Sequence, residues 1–248
     1  MSESTPTAAP TPTAAKPTSD TAHASRWTRG WVLAFAAVFL LALGVRTANV
    51  VLWYPSCDLD IIAHVESGTT TQYPECPEGE FRIWGDAAYS YLQGYLLANG
   101  HGFSDGATWF ATGGERIVDS AGDPPLYAVW SAALFKVGLS SGHEQRLANG
   151  VLGSFGILLI ALLAARVAGR RAGVIAGVLG AIYPLLWIND GMMLSEGMYV
   201  VAVTGVLLVA YRFTDRPSLA NVALLGGAIG LATLVRGEVL VLLGVLVV

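Results

Sequence analysis

From Trp31 to Trp53 the chain reads "WVLAFAAVFLLALGVRTANVVLW", and Arg46 is its only charged residue. As a helix rising ~1.5 Å per residue this stretch reaches ~35 Å, enough to cross a hydrocarbon layer of ~30 Å. Lipid offers no hydrogen bonds, so such a segment must satisfy its backbone internally, and a helix is the way a single segment does so. Further apolar runs lie at about 146 to 167, 172 to 188, 197 to 212 and 218 to 235. Hydrophobic residues make up 54% of the 248 and charged residues 13%, and the charges collect between the runs. A soluble core does not use that much uninterrupted apolar sequence.

The pattern predicts an all-α fold: a polytopic transmembrane helix bundle whose first loop is extracytoplasmic and carries interfacial helices. Residues 1–30 form a cytoplasmic tail and 31–248 a membrane module, with a first span at 31–53, an outer loop with surface helices at 54–145, and further spans over 146–248. The opening "MSESTPTAAPTPTAAKPTSDTAHAS" has almost nothing to bury and is expected to be disordered. It does not read as a signal peptide, whose apolar region would be shorter and nearer Met1. A last apolar run starts near Glu238 and stops at Val248. About ten residues cannot cross a bilayer that needs ~20, so the chain is expected to be a piece of a longer protein or an incomplete gene product.

Charge is unevenly spread. Tyr54 to Asp123 holds eleven acidic and two basic residues, so the remainder of a chain of net charge −4 sums to +5. That balance argues against a nucleic-acid partner. Orientation turns on "PPLYAVWSAALFKVG", residues 124 to 138. As a span it would put Arg166, Arg170 and Arg171 outside. As an outer surface helix it leaves Lys16, Arg26, Arg29, the Arg166 to Arg171 cluster, Arg212 and Arg216 in the cytoplasm, which the positive-inside rule prefers. The second arrangement is adopted, with the N-terminus cytoplasmic in a multi-pass protein of the plasma membrane. It places Asp86, Asp105, Asp119, Asp123, Asp190, Glu196, Arg146 and Arg236 on or near one outer face, where solvated loop ends are the plain alternative to function.

Cys57 and Cys76 share the outer loop with Pro55, Pro74 and Pro77. In an oxidising compartment a disulfide between them would restrict the unfolded chain by ~3 kcal/mol. Two free thiols are the alternative. A metal site is a weak reading, because the spacing is not CxxC and His64 is the only histidine nearby. Nucleotide, P-loop, zinc-protease and serine-hydrolase signatures are absent.

The order of "WGDAAY", "LLANGHGF", "DPPLYAVWSAALFKVGLSSGHEQRLANGVLG", "ARVAGRRAGVIAGVLGAIYPLLWINDGMMLSEGMYV" and "GLATLVRGEVLVLL" resembles the family 39, GT-C type membrane glycosyltransferases. These include bacterial relatives of protein O-mannosyltransferases and of aminoarabinose transferases. The resemblance runs from about residue 31 to the end and lies in the order of the motifs, each weak alone. It implies transfer of a sugar from a polyprenyl-phosphate carrier to an acceptor, a glycan, lipid or protein, on the outer face with inversion. It also implies a general base at Asp86 and a second acidic residue at Glu196, with basic residues holding the carrier phosphate. Asp123 departs from the family, where a basic residue or His often precedes "PPLY".

Elementary chemistry fits these roles. An acceptor hydroxyl is a poor nucleophile, and a carboxylate that takes its proton contributes ~10²- to 10⁴-fold. The helix that Asp86 opens, with Tyr89, Tyr91, Leu92, Tyr95 and Leu96, suits the headgroup level. The bland alternative makes Asp86 an N-cap. Glu196 either functions, caps its helix or pairs with an Arg. Arg46 faces the outer end of the first span, toward a phosphate or in a structural ion pair. Arg146 and Arg236 offer planar forks of donors for phosphate. Tyr127, Trp130 and Trp187 either line a sugar or lipid groove or anchor the interface. No cofactor is expected; metal-independent transfer is the default, with a divalent metal left open. A secondary transporter and a non-catalytic assembly protein are the rival classes.

Overall fold

The computed structural model describes residues 28–53, 61–68, 83, 85–120 and 122–241. The tail to residue 27 and the Cys57 to Cys76 pairing lie outside the described residues. The apolar runs become helices whose ends fall at the stop signals in the sequence. These are α1 (Arg29–Trp53), α2 (Ile61–Glu66), α3 (Gly85–Ala98), α4 (Gly106–Ala111), α5 (Pro125–Lys136), α6 (Gly142–Ala168), α7 (Arg170–Ile182), α8 (Pro184–Gly191), α9 (Glu196–Asp215) and α10 (Leu219–Thr233), followed by a 3-10 turn, Gly237–Val239.

Ser141 and Glu144 form a reciprocal capping box at the start of α6. Gly169, at φ +87°, ends α6 and begins α7 in one residue, a left-handed conformation that glycine adopts without penalty. Ser218 caps α10 by accepting from Asn221 N. Among the described residues three helices, α1, α6 and α9, are long and apolar enough to cross a membrane, and a fourth span results if α7 and α8 are taken together.

Two expectations change here. The run 172 to 188 is two helices bent by 51°. Pro184 has no N–H to give the helix, and it holds Tyr183 extended at ψ 116°. The run 218 to 235 yields a 15-residue helix, ~22 Å long and short of a full crossing. By contrast α5, at 12 residues, is too short to cross, as the surface-helix reading requires.

The core of the bundle joins Phe35, Val38 and Ala42 of α1 to Ile157 and Ala161 of α6 and Ala181 of α7. Gly173 and Gly177 allow that approach: a Cβ on Gly177 would stand 2.5 Å from Val38 Cγ1. A second core ties α2, α3 and α4 together around Tyr91, Leu92, Leu96 and Trp109. Tyr91, Leu92 and Leu96 therefore face inward rather than presenting a surface at headgroup level. Helix α5 also packs on α3, crossing it at Gly94, where an added Cβ would meet Ser131 Oγ at 2.4 Å.

Arg166 at the end of α6 pairs with Asp215 at the end of α9, and the front halves of both helices meet at Asp190. Helices α6 and α9 thus run parallel, with the basic cluster at one end and Glu196 at the other. If that basic end is cytoplasmic, a cysteine at exposed Ala168 should resist a membrane-impermeant thiol reagent in intact cells. One at exposed Glu115 should react, both tested with Cys57 and Cys76 replaced by alanine. Labelling at 168 and protection at 115 would reverse the orientation.

Candidate functional site

Where α3 and α5 meet the front ends of α9 and of the 3-10 turn, they enclose a cavity of about 200 Å³. Asp86, Tyr127, Glu196 and Arg236 line it, with Asp123 and Glu238 at its walls. Each is delivered by a local rule. Asp86 stands in the first turn of α3, where a carboxylate suits the positive end of the helix dipole. Among the described residues its side chain makes no hydrogen bond or ion pair, so it is exposed and uncommitted. Pro124 and Pro125 open α5, and the free Leu126 N–H donates to Leu234 O at the end of α10, at 2.9 Å. An unused helix-start donor thereby meets an unused helix-end acceptor.

Glu196 begins α9, and no side chain caps that helix at Ser195. Its Oε1 accepts from Arg236 Nη2 at 3.0 Å, both side chains about one-third exposed, so the ion-pair alternative for Glu196 is realised. The Arg236 guanidinium also lies 5.8 Å from the centre of the Tyr199 ring, within cation–π range. The turn that brings Glu196 to the cavity contains Met193, buried and held at φ 60°. A bulky side chain in the left-handed region is strained, and the surrounding contacts have to hold it there.

Tyr127 Oη accepts from Asn149 Nδ2 at 2.7 Å, and Trp130 Nε1 donates to Asn149 Oδ1 at 2.9 Å. Burial, above all, pushes the Tyr127 phenol up, with the charges of Asp190 and Glu196 adding to it against the lowering effect of the Asn149 bond. It stays protonated at any physiological pH. Asn149, on α6, carried no signal in the sequence beyond being a polar residue in an apolar run. Ser90, Gln93 and Glu238 also line the cavity and were not singled out.

Two basic candidates do not reach it. Arg46 donates through Nε to Asp190 Oδ2 at 2.6 Å, with each side chain only 2% exposed. This is the structural ion pair weighed for Arg46, and it takes Asp190 off the outer face. The carboxylate fits because Gly153 and Gly197 leave it room: a Cβ on either would stand about 2 Å from an Asp190 oxygen. Arg146 is buried on α6 and is not among the residues lining the cavity. Asp105 caps α4 by accepting from Thr108 N at 2.8 Å, which is the plain reading of that residue. Trp130 touches the site through Asn149 rather than lining it.

Comparison with known proteins finds no match, whether among protein-family models, curated proteins or solved structures.

Proposed function

We propose that the chain is a membrane glycosyltransferase of the plasma membrane. It would move a sugar from a polyprenyl-phosphate donor to an acceptor on the extracytoplasmic face. The observation that carries this reading is the convergence of Asp86, Tyr127, Glu196 and Arg236, spread over 150 residues, on one cavity. The acceptor oxygen attacks the anomeric carbon, the bond from that carbon to the phosphate oxygen breaks, and Asp86 takes the hydroxyl proton. Arg236 supports the departing phosphate, with Glu196 holding the guanidinium in place.

A secondary transporter is the second reading. The 51° break between α7 and α8 and the buried Arg46–Asp190 pair favour it, because transporters build sites from broken helices and intramembrane charges. One experiment separates them. Membranes containing the chain are given a polyprenyl-phosphate mannose labelled in the sugar. Chain-dependent movement of label into an acceptor fraction supports transfer. Label that stays wholly in the donor, together with chain-dependent uptake of solute into sealed vesicles, would replace it with transport.

A further inference from the structure

An indole N–H can donate but never accept, and this fixes the direction of a hydrogen-bond chain beside the cavity. Trp130 Nε1 donates to Asn149 Oδ1 at 2.9 Å. The amide oxygen must face Trp130, because the other amide orientation would set two donors against each other. The amide nitrogen is therefore turned to Tyr127, where it donates to Oη at 2.7 Å. Asn149 is 4% exposed and Tyr127 6%, so water does not scramble the arrangement. Tyr127 Oη is thus an acceptor in this chain, and its own hydrogen remains to be given.

Among the described residues that hydrogen finds no acceptor. Buried hydroxyls are rarely left so, and Tyr127 is one of the residues that line the cavity. The cavity sets Asp86, Asp123, Glu196 and Glu238 against Arg236 alone. A neutral oxygen therefore suits the Tyr127 end better than a phosphate, which would meet a surplus of negative charge.

We infer that Tyr127 is a directed hydrogen-bond donor to a hydroxyl or ring oxygen of the bound sugar. Asn149 and Trp130 are positioning residues that fix the polarity of the donor. The sugar as ligand rests on the glycosyl-transfer reading; the polarity of the chain does not.

The test has a ligand-free arm and a binding arm, both on the purified chain in detergent. The tyrosine Fermi doublet in the Raman spectrum distinguishes a phenol that accepts from one that donates. Wild type minus Tyr127→Phe isolates the Tyr127 signal, which should have the acceptor form. Trp130→Phe releases the amide to turn, so Tyr127 should switch to donating to Asn149 Oδ1. Asn149→Asp, nearly isosteric, should force the same switch, and it covers the case in which Trp130→Phe does not fold. A doublet that keeps its acceptor form in Asn149→Asp overturns the polarity.

In the binding arm, Tyr127→Phe should weaken a short-chain prenyl-phosphate mannose roughly tenfold and leave the sugar-free prenyl phosphate unchanged. Trp130→Phe should match it, with no further loss in the double variant. Equal affinity of Tyr127→Phe and wild type for the mannose probe overturns donation to the ligand and assigns the hydrogen to the interior, toward Asp190. Wild type that binds neither probe while the Raman switch occurs overturns the sugar as ligand and upholds the polarity.

Discussion

Asp190→Ala is expected to destabilise the protein by about 3 to 5 kcal/mol, the cost typical of leaving one member of a buried pair without its partner. Arg46 would remain charged at 2% exposure with its carboxylate gone. The neighbouring glycines would add a void, since Gly153 and Gly197 are shaped around the Asp190 oxygens. Asp190→Asn keeps that shape, so the difference between the two variants separates packing from charge. Removing both charges, as Arg46→Met with Asp190→Ala, should recover most of the charge term. Unfolding in detergent micelles, followed by denaturant or heat, measures all three. A single-variant loss below ~1 kcal/mol would mean that the pair does not hold α1 to α8.

Asp86→Asn is expected to lower sugar transfer by at least ~10², equivalent to ~2.7 kcal/mol of barrier. The amide keeps the volume but cannot take a proton. Membrane insertion and donor affinity should stay near wild type, and stability should change by ~1 kcal/mol or less, the scale of a first-turn charge. The structure makes the variant informative, because the Asp86 side chain has no bond among the described residues to lose. Near-normal transfer by a well-folded Asp86→Asn chain would sink its assignment as the base.

What could be read from the sequence follows from the kind of signal each feature leaves. Long apolar runs announce α1, α6 and α9 because membrane crossing is a property of composition and length. The short α5 was legible for the converse reason. The break at Pro184 was present in "YPLLW", yet continuous hydropathy outweighed it and the run was read as one span. Asp86, Tyr127, Glu196 and Arg236 stood out at helix starts and run ends, and they meet at one cavity. Asp190 looked like one more solvated carboxylate beside "IND". Its burial depends on Arg46, 144 residues earlier, and on glycines in two other helices, a conjunction that no local pattern records. Asn149 was invisible for the same reason: its role is defined by two aromatic partners on α5.

Helix α5 is fastened at four residues along one stripe. Leu126 is bonded to the end of α10, Tyr127 and Trp130 to Asn149, and Ser131 Oγ to Gln145 Oε1 at 2.8 Å. Too short to cross a bilayer itself, it is nonetheless riveted to α6, which is long and apolar enough to do so, and to the end of α10, and α3 rides on it through Gly94. The roof of the cavity therefore cannot lift away from the bundle without breaking several bonds at once. Asp86, Asp123 and Glu238 are exposed carboxylates on the cavity's wall, so Arg236 has to hold any negative charge there against their repulsion.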